Sequence, residues 1–293
     1  MTISEQTIQN FDSLWDYDQP AATEARFREK LATFMVGEAA YVELLTQIAR
    51  AQGLQRQFDA AHATLDQAAI GLTDEPAHLQ VRYHLERGRV FNSSGDRQAA
   101  QEHFTTAWSL AQQRGEDYYG VDAAHMLAIV APPDQQHGWN LKALALVEQS
   151  SDPRTAKWIG SLHNNIGWTD FAAGDFAAAL NHFQQALTAR EAQGDRGTIQ
   201  IARWCVARAL RALARLDEAL AIQKQLLAEQ AAAGESDGYV YEELGEGYLA
   251  LGEAQVAQPY FARAYQLLSQ DAWLVSQEGP RLERLKTLGN AAE

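Results

Sequence analysis

One position recurs along this chain with a spacing that few folds can produce. Ala61, Ala100, Trp139, Ala179, Ala219 and Ala257 follow one another at intervals of 39, 39, 40, 40 and 38 residues. A period of that length is one supersecondary unit that cannot bury its apolar face alone, so successive units must stack and share a continuous core. The clearest copy lies in residues 161–190. Ile166-Gly167 sits in one apolar helix, Gly174-Asp175-Phe176 makes a turn, and Ala179, Phe183 and Ala186 follow at spacings of four and three on a second helix. The side-chain sizes have a steric reason: Gly167 and Ala179 let two helix backbones approach, Phe183 fills the wider gap, and Ala186 admits the next hairpin.

The pattern divides the chain into three parts. Residues 1–37 form an N-terminal extension with a capping helix, opened by Pro20 and carrying Phe27, Leu31 and Phe34 on one face, with Trp15 and Tyr17 packed beside it. Six helical hairpins occupy residues 38–269, at about 38–72, 76–114, 117–151, 161–190, 196–233 and 236–269. Residues 270–293 form a C-terminal cap, with Leu274, Leu282, Leu285 and Leu288 around Pro280 and Trp273 beside them. The third hairpin departs from the rest. Ala131-Pro132-Pro133-Asp134 replaces the glycine turn, and Trp139 falls in the small-residue series, so its ring is expected to spread or rotate the two helices and change the local pitch.

Gly88, Gly167 and Gly245, paired with Ala100-Phe104-Ala107, Ala179-Phe183-Ala186 and Ala257-Phe261-Ala264, resemble tetratricopeptide (TPR) repeats. The intervals near forty residues resemble the long-helix variety found in kinesin light chains, cell-polarity adaptors and bacterial peptide-sensing regulators. The resemblance implies an all-α fold, a right-handed α-solenoid (superhelix) of about six TPR-like hairpins with N- and C-terminal capping helices. It also implies first helices that line a concave groove for peptides or partner helices. In two respects the chain departs from the pattern: most units lack a closing proline, and no DNA-binding helix-turn-helix precedes the repeats. Its similarity to carboxylate-clamp TPR domains is confined to Asn165 and the fifth-hairpin arginines.

Composition narrows the function classes. The net charge of −14 argues against nucleic acid or an acidic membrane surface as partner. No uncharged apolar run is long enough to span a bilayer, and the N-terminus has neither the basic start nor the apolar core of a secretory signal. The single cysteine, Cys205, forms no internal disulfide, and a reducing bacterial cytoplasm is the simplest setting. Catalytic motifs are missing: there is no HExxH, GxSxG, phosphate-binding glycine loop or CxxC. The eight histidines are scattered over different helices without metal-ligand spacing. No cofactor, metal site or enzymatic activity is expected.

The local charge is uneven. Residues 196–216 hold five arginines and no acid, whereas residues 234–293 hold ten acids against four bases. In the fifth hairpin Val206, Ala207, Leu210, Leu213 and Ala214 mark the buried side. Trp204, Arg208, Arg211 and Arg215, at spacings of four, three and four, mark the other. Neighbouring first helices contribute Asn164, Asn165 and Trp168 on one side and Tyr239, Glu242 and Glu246 on the other; Arg50, Arg82, Glu86, Arg89 and His125 are weaker candidates. Arginine grips carboxylates through paired hydrogen bonds and tryptophan offers a rigid apolar face, so the expected ligand is a protein or peptide with an acidic or C-terminal carboxylate and a bulky apolar side chain. The bland alternative has Arg208 and Arg211 pairing with Glu242 and Glu246 across the hairpin interface. The reading is therefore a non-catalytic scaffold or adaptor; a ligand-responsive sensor controlling a separate protein and a homo-oligomer, for instance a homodimer, are its alternatives.

Overall fold

A computed structural model describes residues 11–73 and 76–290. The first ten residues, on which the reading of a missing secretory signal falls, and residues 291–293 of the C-terminal cap lie outside the described residues. Every regular element among the described residues is helical, and the chain divides into two compact units, one ending at Trp158 and the other beginning at Ile159.

The first unit opens with a 3-10 turn, Phe11–Leu14, and helix α1 (Pro20–Leu31). Three hairpins follow: α2 (Ala39–Leu54) with α3 (Phe58–Ile70), α4 (Ala77–Ser94) with α5 (Arg97–Arg114), and α6 (Asp117–Val130) with α7 (Pro133–Gln149). A second 3-10 segment, Pro153–Trp158, closes it. The second unit repeats the plan with α8 (Ile159–Ala172) and α9 (Phe176–Gln193), α10 (Arg196–Ala212) and α11 (Leu216–Ala232), and α12 (Gly238–Ala250) and α13 (Ala254–Leu268). Its last elements are α14 (Ala272–Gln277) and α15 (Gly279–Asn290).

Local chemistry sets the ends of these helices. The Asp96, Asp175 and Asp195 carboxylates accept hydrogen bonds from the backbone N–H groups of Ala99, Ala178 and Thr198, at 3.0, 3.0 and 2.8 Å, and so satisfy amides that the first turn leaves open. Gly174 ends the fourth hairpin's first helix at φ +82°, where a side chain is disfavoured. In the first and fifth hairpins Arg56 (φ +61°) and Ala214 (φ +57°) take that conformation with a side chain attached.

The expected steric fit is present. A Cβ added to Gly167 would lie 2.7 Å from Phe183 Cδ1, and the same clash arises between Gly88 and Phe104 and between Gly245 and Phe261. The three phenylalanines are at most 1% exposed. In the first unit Phe27 is fully buried with Phe11, Leu44 and Ile48, and Trp15 stacks on Tyr17 with ring centroids 4.8 Å apart. In the second, Leu274, Leu282 and Leu285 close the apolar face of α13, while Trp273 stays 61% exposed.

The third hairpin corrects one expectation. Counting four residues from the N-cap of each second helix gives Ala61, Ala100, Gln136, Ala179, Ala219 and Ala257, so Gln136 and not Trp139 holds the small-residue position. Helix α6 has 14 residues where α4 has 18, which brings α7 forward, and the 3-10 segment after α7 restores the spacing. The buried face of α7 is Asn140, Ala143 and Val147. Trp139 therefore stands off the buried face of α7: it lies half-buried, edge-on to Trp108 with centroids 5.8 Å apart, with Lys142 Nζ 4.0 Å above its ring.

Candidate charged cleft of the second unit

Helix α10 buries Ala202, Cys205, Val206, Ala207, Ala209 and Leu210 and turns Trp204, Arg208 and Arg211, each half-buried, to the other side. Two residues depart from the expected arrangement. Ala214 is exposed in the turn, and Arg215 is the N-cap residue of α11, where its guanidinium binds the Glu218 carboxylate through two 2.7 Å bonds. The helix has ended by then, so Arg215 does not extend the arginine row.

Arg208 and Arg211 pair internally, though not with the expected residues. Both bind Glu243, which is 2% exposed: Arg208 Nη1 donates to Oε1 at 2.7 Å, and Arg211 donates from Nε and Nη2 at 2.8 and 3.0 Å. Glu242 and Glu246 face the C-terminal cap instead. Glu242 accepts from Arg281 Nε at 2.9 Å, Arg281 also binds Glu278 at 2.7 Å, and Glu246 binds Arg284. The reason is register, because Glu243 stands two residues before Gly245, on the side of α12 turned toward α10. Burial alone would lower the pKa of Arg211, but the bond and charge of Glu243 raise it above its ordinary value. These eight charged side chains line a cleft of about 560 Å³.

The aromatic candidates adjoin it. The Arg208 guanidinium lies 5.8, 5.6 and 5.3 Å from the ring centroids of Trp168, Phe171 and Trp204. Trp168 is shared with the core, its ring 5.2 Å from that of Phe183. Trp204 Nε1 donates to the Tyr239 carbonyl at 3.1 Å, and both rings line a separate, mainly apolar pocket of about 250 Å³ with Ile201, Leu226 and Val240. Ile201 is 60% exposed at this pocket. Two further lining side chains bring polar atoms that find no partner among the described residues, the donor Gln200 Nε2 and the acceptor Gln230 Oε1. Asn164 and Asn165 are half-buried; Asn164 Oδ1 accepts from Cys205 Sγ at 3.5 Å, and burial pushes that thiol up to about 12.

Sequence reasoning missed Glu243, Arg281, Arg284, Ile201, Gln200 and Gln230. Aligned hairpins reveal the first of these. In the first, second and fifth hairpins the residue after the first-helix small position is Arg50, Arg89 and Arg208, the residue two before the small position of the next hairpin is Glu86, Asp122 and Glu243, and each arginine binds the acid of the following hairpin. The histidines are also less scattered than their spacing implies. His84 and His103, and at the same register His163 and His182, meet through Nδ1 atoms 2.9 Å apart. Among the described residues no group of three or more histidine, cysteine or acidic side chains is placed to hold a metal ion, and no helix is long and apolar enough to cross a membrane.

No protein-family model matches the chain, and no curated protein matches it in sequence. Solved structures do match its fold. BtubC (BKLC) from P. vanneervenii is 17% identical, with 76% of this chain and 94% of that one covered and a TM-score of 0.61. The nearly identical TPR-like repeats of a Podosopora anserina putative kinesin light chain are 20% identical over 70% and 99% of the two chains, with a TM-score of 0.51. The C-terminal part of a TPR repeat-containing protein from Cytophaga hutchinsonii is 13% identical over 90% and 96%, with a TM-score of 0.54. The chain has the all-helical fold of TPR-repeat proteins.

Proposed function

We propose that the protein is a non-catalytic interaction scaffold that holds a peptide segment of a partner protein against the cleft and apolar pocket of its second unit. The TPR fold supports protein binding in general, and two features support this location. Arg208 and Arg211 share one carboxylate, so the α10 side of the cleft holds one positive charge in excess, with 27% and 24% of the two arginine side chains exposed, while Glu242 and Glu278 share Arg281 and leave the opposite side one negative charge in excess. Beside them the pocket of Trp204, Leu226 and Val240 would take a bulky apolar side chain, and Gln200 and Gln230 would offer a donor and an acceptor to a peptide amide. The sharing of Glu243 by two guanidinium groups is the observation that carries the reading: an acidic or C-terminal carboxylate of the ligand would bind on the locally positive α10 side of a cleft whose charges balance overall.

A random peptide library selected on the full chain tests it. Enriched sequences should combine a carboxylate with an aromatic or large aliphatic residue. Ile201→Glu, a change at an exposed position, should abolish the selection, and Arg211→Gln, which leaves Arg208 on Glu243, should weaken it. Enrichment of basic peptides, or selection unchanged by both variants, would refute the assignment.

A further inference from the structure

The first unit holds a cavity of its own, about 270 Å³, whose lining includes the rings of Trp15, Tyr17, Tyr118 and Tyr119. Its charged side is the other copy of the register-encoded ladder. Arg89 binds Glu86 Oε1 at 2.7 Å and both Asp122 oxygens at 2.5 and 2.6 Å, and these carboxylates, with burial working the other way, raise its pKa above the ordinary arginine value. Arg50 is left at the end of the ladder. Among the described residues its one hydrogen bond runs to the same Glu86 Oε1 at 3.4 Å, and 27% of its side chain is exposed. Its guanidinium is held instead by the Trp15 and Tyr17 rings, 5.5 Å from each centroid. Glu86 is 1% exposed, yet its Oε2 has no partner among the described residues.

We infer that this cavity is a binding site for an aromatic amino-acid unit with a free carboxylate and an adjacent N–H. Each requirement comes from a separate feature. The guanidinium of Arg50 has N–H donors that no acceptor among the described residues takes, and a carboxylate is the group that meets such a fork with two bonds. The orphaned Glu86 Oε2 calls for a donor, because a buried acceptor without one is costly. The four rings offer faces and edges to a fifth. A bare inorganic anion would leave the four rings and the Glu86 oxygen unused, and a metal cation would meet Arg50, Arg82 and Lys157 in the same lining. Turning Arg50 from its long contact toward the ligand uncovers Glu86, which keeps Arg89 at 2.7 Å, so no buried charge is left unpaired.

The same chemistry is offered by a free N-acylated aromatic amino acid and by the last residue of a peptide. The test titrates the full chain with N-acetylphenylalanine, its carboxamide, and acetyl-Gly-Gly-Gly-Phe with a free carboxylate, following the Trp15 indole N–H, which donates to Gln47 Oε1 at 2.8 Å and is assigned with Trp15→Phe. Both acids should shift this signal, and the carboxamide should bind about tenfold more weakly or worse, the size of one lost charged hydrogen-bonding group. Equal binding of the two acids assigns a small-molecule ligand, and tighter binding of the peptide assigns a chain end. Arg50→Gln should lose the shift and keep the fold, since it removes one 3.4 Å bond and the guanidinium's contacts with two partly exposed rings while Glu86 keeps Arg89; Arg50→Lys should retain part of the affinity. An unmoved signal, equal binding of acid and carboxamide, or Arg50→Gln binding like the wild type would overturn the inference. The Trp204 indole N–H reports on the second unit in the same spectra, so the two sites succeed or fail separately.

Discussion

Replacing both Arg208 and Arg211 by alanine strips the arginines from the cleft, but Glu243 makes the change first a test of stability. That carboxylate is 2% exposed and its hydrogen bonds come from these two side chains, one from Arg208 and two from Arg211. With one arginine gone it keeps a partner, and each single variant should cost about 1 to 2 kcal/mol, the low end for charged hydrogen bonds that are partly open to solvent. With both gone a buried charge stands alone, which costs about 3 to 5 kcal/mol. The double variant should therefore exceed the sum of the singles by about 1 kcal/mol, a coupling expected when two residues serve one partner. Urea denaturation followed by tryptophan fluorescence measures this, because the Arg208 guanidinium lies over the rings of Trp168 and Trp204. Adding Glu243→Leu to the double variant should restore most of the loss, since an apolar side chain needs no counter-charge. Additive singles, or a triple variant no more stable than the double, would refute this account of the ladder.

Gly167→Ala should lower stability by about 1 to 3 kcal/mol, because its Cβ would meet Phe183 at 2.7 Å, and Phe183→Leu should recover part of it; thermal melting followed by circular dichroism reads both. Ala214→Gly should raise stability by about 1 kcal/mol, since glycine takes φ +57° without the penalty of a Cβ. Burial, with His103 and Arg87 adding to it, lowers the His84 pKa from 6.5 to about 4. The unfolded chain then binds the extra proton between those values, so the contribution of His84 is whole above pH 6.5 and is lost as pH falls toward 4. Urea midpoints across that range should fall less steeply for His84→Gln than for the wild type. Cys205, with its thiol pushed up to about 12, should resist iodoacetamide at about pH 8 in the native protein and react once unfolded.

How far the sequence could be read depended on whether a feature belonged to one hairpin or to several. Gly167 against Phe183 was legible because the backbone approach that removes a Cβ and the ring that fills the space lie in one turn of chain. The pairing of Arg208 was not. Its row on α10 was visible from helical spacing, but its acceptor sits 35 residues on, among three glutamates within five positions of α12, and nothing inside that one hairpin tells Glu243 from Glu242 and Glu246; the shared register with Glu86 and Asp122 does so only once their pairing is known. Trp139 misled for a related reason: a fixed interval cannot detect that α6 is short and that a 3-10 segment makes up the difference.

The sequence by itself determined the helices, their turns and the small-and-large alternation that stacks them, because these follow from backbone sterics and burial within neighbouring stretches. Tertiary structure alone decided which charges cancel and which stay open. Arg50 with its single long bond, Glu86 with an oxygen unanswered and the pocket beside Trp204 exist only where separate helices meet. Electrostatic and hydrogen-bonding partners are set by distances of a few ångströms between segments far apart in the chain, and no local pattern encodes those distances.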